Sequence, residues 1–254
     1  MIGEIKVKKY MKNEVWEQED FIIQEHRANI FVNGEHYISL MCLPQYYDEL
    51  AVGFLFSEGV IGSYADVADI NTTSTGDIFV TVPHAPDNIK ADKRVIVSGF
   101  ACGSVKEPFL NCENLPKTIS SLTISTDEVA KMMAVFNKQS ELFQKTGAVH
   151  SASLVLPGAT TLFYEDIGRH NAVDKIIGKA LINNLRIENG ILLTSGRISS
   201  EILIKAARLG ISMLISISAP TNMAVEIARK INMTLIGFAR GDRFNVYAGD
   251  NRLI

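Results

Sequence analysis

The sequence predicts an α/β protein in which a strand-rich first part precedes a region of alternating strands and helices. Three observations carry this. Near-continuous apolar runs, ILLTS (191–195), ISMLISI (211–217) and TLIGF (234–238), recur at similar spacing. Segments with helical periodicity separate them. Before about residue 120 the chain instead shows short alternating runs broken by turn signals.

With 254 residues, 47% of them hydrophobic, the chain can fill the core of one large domain or two small ones. The texture change divides it into a β-rich N-terminal domain, 1–120, and an α/β domain, 121–254. The net charge of -3 supplies no global field for nucleic acid or an anionic membrane. The first residues mix charge throughout and lack the apolar core of a signal peptide, and no apolar run is long enough to span a bilayer, so the expected compartment is the cytoplasm. Three cysteines, Cys42, Cys102 and Cys112, with no C-x-x-C spacing, argue against a disulfide framework or a zinc knuckle.

In chain order, residues 28–42 alternate around Asn33-Gly34, a hairpin signal. A helix should begin at Asp48, bury Leu50, Phe54 and Leu55, and end at Gly59. Residues 77–82 and 93–97 read as strands, and 115–124 as a linker. Ser125 to Glu128 matches a capping box; the helix behind it, with Val129, Met132, Met133 and Phe136 at helical spacing, should run to Gly147. Residues 152–156 and 160–165 flank Pro157-Gly158 as a second hairpin, and a helix should follow from about Asn171 to Leu185. Strands at 191–194, 211–217 and 234–238 then alternate with helices near 200–209 and 222–231, with 244–247 closing the pattern. Such a run should form parallel strands, buried on both faces.

Ligands bind beyond the carboxyl ends of strands in such sheets. Here those ends are Ser195-Gly196-Arg197, Ser218 to Asn222 and Phe238-Ala239-Arg240-Gly241-Asp242-Arg243. The first two enter helix N-termini, where free N–H groups favour an anion. Gly196 would admit a ligand close to the backbone, Thr221 and Asn222 would stand at a helix start, and Arg197, Arg240 and Arg243 offer forked donors for phosphate. The pattern points to a nucleotide or a nucleotide-bearing cofactor, or else to ordinary caps and solvated arginines. No Walker A or G-x-G-x-x-G sequence is present.

The densest polar segment is Glu165 to Lys175, EDIGRHNAVDK. Arg169 and His170 are either ligand contacts or members of an elaborate cap, with Asn171 as the capping residue. His150, in TGAVHSASL, is more readily a structural histidine than a catalyst, and neither histidine has H-x-E or H-x-x-x-H company, so no zinc site is expected. Cys42 lies in an alternating strand and reads as a core residue. Cys102 lies among small residues in SGFACGS, with Lys106 nearby to favour thiolate, and is the candidate nucleophile.

Taken in order, ELAVGFLFSEGVI (49–61), SGFACGS, TGAVHSASL, EDIGRHNAVDKIIG, LLTSGRISSEILIKAARLGI, SAPTNMAVEIA and TLIGFARGDRFNVY resemble the formate dehydrogenase accessory sulfurtransferase family, FdhD. The resemblance implies a cytidine deaminase-like α/β layered domain beside a smaller β-rich N-terminal domain. It implies a sulfurtransferase that accepts sulfur as a persulfide from a cysteine desulfurase. That sulfur passes to the molybdenum bis-molybdopterin guanine dinucleotide cofactor destined for formate dehydrogenase. It also implies a homodimer, with GDP as a mimic of the cofactor. The persulfide cysteine of the family falls on Cys102 and its cofactor-binding stretch on Phe238 to Arg243. Many members carry C-G-x-C in the loop, whereas Cys102-Gly103-Ser104-Val105 keeps one thiol, which leaves a non-covalent cofactor chaperone as the alternative. A deaminase is disfavoured, because the H-x-E and P-C-x-x-C residues are missing.

Overall fold

The computed structural model describes residues 1–86, the backbone of 95–96, 115–158 and 161–254. The candidate Cys102, with Cys112 and most of the strand read at 93–97, lies outside the described residues.

The chain opens with a ribbon, β1 (Ile2–Met11) antiparallel to β2 (Glu14–Ile23), which joins no other sheet among the described residues. Next come β3 (His26–Val32) and β4 (Glu35–Cys42), paired antiparallel. Their turn is set by Asn33 and Gly34, at φ 52° and 85°, the double positive φ of a tight hairpin. Helix α1 (Tyr47–Ser57) follows, then β5 (Asp69–Thr72), β6 (Asp77–Thr81) and β7 (Val95–Ile96). They complete a five-stranded sheet of order β5-β6-β3-β4-β7, in which β7 runs parallel to β4. Leu50 and Leu55 of α1 are fully buried with Ile30, Leu40 and Ile78 of that sheet.

Ser125 caps α2 (Thr126–Gln139) as expected: its hydroxyl accepts from the Glu128 N–H, and its own N–H donates to the Glu128 carboxylate at 2.8 Å. The helix does not run on to Gly147. It breaks at Ser140, whose hydroxyl bonds the Ser151 hydroxyl at 2.7 Å, and restarts as α3 (Glu141–Thr146). The new first turn is held from outside, since Leu142 and Phe143 donate their N–H groups to the Glu165 carboxylate at 3.2 and 3.1 Å.

The remaining elements are β8 (His150–Val155), β9 (Thr161–Asp166), α4 (Arg169–Ile182), β10 (Ile191–Thr194), α5 (Ser200–Leu209), β11 (Met213–Ser216), α6 (Asn222–Lys230), β12 (Thr234–Arg240) and β13 (Arg243–Ala248). Their sheet has the order β13-β12-β11-β10-β8-β9. The apolar runs β10, β11 and β12 are parallel, as read from the sequence, while β8 and β13 flank them antiparallel. One face packs on α4, α5 and α6 and the other on α2. The fold is thus mixed α/β.

Two glycines join the halves. A side-chain carbon at Gly53 of α1 would collide with the backbone carbonyl of Asp174, and one at Gly178 of α4 with that of Glu49. The two helices therefore touch backbone to backbone, a contact open only to glycine.

Candidate functional site at one edge of the six-stranded sheet

The carboxyl ends of β10, β11 and β12 lie on one edge, and antiparallel pairing brings the start of β8 and the end of β9 to the same edge. From β12 to β9 this row spans four strand spacings, about 19 Å. Its loops are laced together. Thr221 donates its N–H to the Ile198 carbonyl at 2.9 Å, Ser216 its hydroxyl to the Gly196 carbonyl at 2.7 Å, and Phe238 its N–H to the Ser218 carbonyl at 3.0 Å.

At one end, a cleft of about 330 Å³ is lined by Phe238, Arg240, Arg243, Phe244 and Asn245. Phe238 is 41% exposed and sits at φ 54°, a left-handed backbone that costs an aromatic residue energy, where the β12–β13 register shifts between Gly237 and Arg240. Gly241 turns the hairpin at φ 58°, and the register sets Arg240 directly opposite Arg243. Like charges so placed repel, and an anion between them relieves the repulsion. Arg240 is also aimed, its Nε donating to the Ile217 carbonyl at 3.0 Å. Asp242 is exposed at the turn, whereas the Ala239 side chain is buried with Ile215 and Ile236 and serves the core.

Toward the other end, Ser195, Gly196, Arg169 and His170 meet, and His150 joins them. His150 Nδ1 lies 3.2 Å from Ser195 Oγ, which also accepts the Ser151 N–H at 2.9 Å. His170 Nε2 lies 3.1 Å from a carboxylate oxygen of Glu201. Burial, then the charges of Arg169 and His170, lower the His150 pKa; burial likewise lowers that of His170, against its bond to Glu201. His150 and Glu201 were missed as site residues by the sequence reading; the TGAVHSASL motif was the available signal for the first.

Two readings need correction. Gly196 does not open the backbone to a ligand: the Arg169 side chain lies over it, within 2.8 Å of where a Cβ would stand. Asn171 is not the cap of α4. The helix starts at Arg169 after Gly168, which has no side chain to cap with, and Asn171 is buried. Its amide donates to the Met41 carbonyl and to Asp166 Oδ1, both at 2.8 Å. Thr221 uses its hydroxyl to accept the Ala224 N–H as the cap of α6, with Asn222 exposed in the first turn. Arg197 is exposed on its loop.

The rest of the EDIGRHNAVDK segment is structural. Asp166 and Lys175 are fully buried and joined at 2.6 Å, and Asp166 also accepts from the N–H groups of Leu43 and Gly168. Asp174 binds Ser57 and Lys205. The bonds of Asp166 to Leu43 and of Asn171 to Met41 fasten the end of β4 beside the α4 N-terminus. Since β7 runs parallel to β4, with Ile96 opposite Leu40, the chain leaves β7 toward this same edge.

Cys42 is buried in the core, and burial, then the charge of Asp166, raises its pKa to about 12, which leaves an unreactive thiol.

Residues 23–254 match the model of the FdhD/NarQ family. A relative named sulfur carrier protein FdhD in Bacillus pumilus is 39% identical over 92% of this chain and 90% of its own length. One of the same name in Bacillus subtilis is 35% identical over 96% of this chain and 95% of its own. A crystal structure of a protein described as a formate dehydrogenase accessory protein, from Desulfotalea psychrophila, superposes with a TM-score of 0.83 at 25% identity, covering 100% of this chain and 99% of that one. With a full-length fold match and a family match running from residue 23 to the last, the chain belongs to the FdhD/NarQ family.

Proposed function

We propose that the chain is a sulfurtransferase serving formate dehydrogenase. It accepts sulfur from a cysteine desulfurase as a persulfide on Cys102, and it binds molybdenum bis-molybdopterin guanine dinucleotide, its substrate, along the sheet edge. In the transfer the S–S bond breaks. The cofactor supplies the electron pair of its new bond to the outer sulfur, and Cys102 keeps the pair of the broken bond as a thiolate. The protein works in the cytoplasm as a homodimer.

The observation that carries this reading is the Arg240–Arg243 pair in the Phe238 cleft. Two guanidinium groups lining one cleft suit a diphosphate, and the aromatic rings suit a base. The names of the relatives support the sulfur role. Chain connectivity is compatible with access: Cys102 stands six positions after Ile96, a reach of at most about 20 Å from the end of β7.

Calorimetry with GDP tests the cleft. Arg240→Ala or Arg243→Ala should weaken binding by about 1–3 kcal/mol. Unchanged affinity in both would place the nucleotide elsewhere. The lone loop thiol favours a second reading, a cofactor chaperone without a covalent step. Under that reading Cys102→Ser still supports formate dehydrogenase maturation; under the first it does not.

A further inference from the structure

His150 opens β8 at the same sheet edge as the arginine cleft, three strand spacings or about 14 Å from β12. Its ring is clamped on one side. Ser195 donates its N–H to the Ser151 carbonyl at 3.0 Å, and its hydroxyl accepts the Ser151 N–H at 2.9 Å. Ser151 is itself buried, its hydroxyl bonded to that of Ser140. The Ser195 hydroxyl is thus fixed in place, and its proton has one acceptor among the described residues, His150 Nδ1 at 3.2 Å. Burial, then the charges of Arg169 and His170, keep the ring uncharged at neutral pH. A neutral imidazole that accepts at Nδ1 carries its proton on Nε2.

That Nε2–H has no hydrogen-bond partner among the described residues, and His150 is partly exposed. The carboxylates at this end of the edge are already engaged. Asp166, opposite His150 in the β8–β9 register, serves Lys175, Leu43, Gly168 and Asn171, and Glu201 serves His170. Arg169, by contrast, lies over Gly196, next to Ser195. A donor beside a guanidinium, with the carboxylates drawn off elsewhere, is a setting that favours an anionic acceptor.

We propose that His150 Nε2–H binds an anionic oxygen or sulfur atom of the ligand at the β8 end of the edge, and that Ser195 positions the ring instead of touching the ligand. The assignment rests on the edge being the cofactor site and uses no persulfide step. It gives Ser195 a new task, since its hydroxyl already serves Ser151 and His150. The arrangement resembles the way an outer hydrogen bond to one ring nitrogen sets the tautomer and aim of the other.

Heteronuclear NMR of the labelled histidine rings and calorimetry on the full chain, with molybdate as the anion probe, provide the test. In wild type at neutral pH the His150 proton should sit on Nε2, and molybdate should shift that nitrogen. Ser195→Ala should mix the two tautomers and weaken molybdate binding less than loss of the ring does. His150→Leu should lower the affinity about tenfold or more, and His150→Gln, whose amide nitrogen stands where Nε2 does, should restore most of it. If His150→Leu misfolds, the wild-type tautomer and shift still decide. A ring proton on Nδ1, an Nε2 that molybdate leaves unmoved, or unchanged affinity in His150→Leu would overturn the proposal, as would a Ser195→Ala protein that keeps the wild-type tautomer. GDP calorimetry on wild type reports on the arginine cleft alone, so the nucleotide site and the His150 contact can fail separately.

Discussion

Lys175 donates to Asp166 at 2.6 Å with both side chains fully buried, and that pair holds the β4 end against the start of α4. Removing one partner of such a pair leaves an uncompensated buried charge. Lys175→Met should therefore cost about 3–5 kcal/mol in urea unfolding, and replacing Asp166 as well should not recover the loss, because the Leu43 and Gly168 N–H groups and the Asn171 amide then lose their acceptor. A loss under about 1 kcal/mol for the single variant would show that the pair is not desolvated as described.

The glycine contact between α1 and α4 gives a second expectation. In Gly53→Ala the new methyl meets the Asp174 carbonyl, which belongs to a packed helix and cannot yield. The variant should lose about 3 kcal/mol or more. Gly147→Ala is the comparison: it has open space and φ 67°, so only the left-handed backbone is penalised, by about 1–2 kcal/mol. Equal losses would remove the close helix contact from the account.

Acid should destabilise the protein through two histidines. The folded-state pKa values of His150 and His170 are lowered by burial, so below about pH 6.5 the unfolded chain takes up protons that the native state resists. Their contribution is complete above that value and is lost as pH falls through the folded pKa values. Urea midpoints should therefore fall between about pH 8 and about pH 5, and less steeply in His150→Gln. Identical slopes would show that His150 titrates as if unfolded.

Cys42 should resist alkylation. Its buried thiol, with a pKa near 12, should stay unmodified by iodoacetamide in the native protein and react only after denaturation. Labelling of native Cys42, located by peptide mass mapping, would contradict the burial.

The parallel strands were legible because strands covered on both faces need unbroken apolar runs, and the Ser125 box and the Asn33-Gly34 turn because their chemistry is local. The Ser140 break was not. It depends on Ser151 and Glu165, distant in sequence and supplied only by the tertiary fold. The first ribbon was missed for another reason: with no sheet to cover it, charged residues fill its shaft and the apolar alternation disappears. At the site, the arginine-bearing loops were readable from strand order. Asn171 and Gly196 were assigned local tasks, capping and ligand approach, whereas each is occupied by a neighbour from elsewhere in the chain: Met41 and Asp166 for Asn171, and Arg169 for Gly196.

The sulfur-carrier proposal is tested most directly by loading the protein with radiolabelled sulfur from a cysteine desulfurase and cysteine. Wild type should retain label that a reductant releases, and Cys102→Ala should retain none. Equal labelling of the two proteins would contradict a persulfide on that residue.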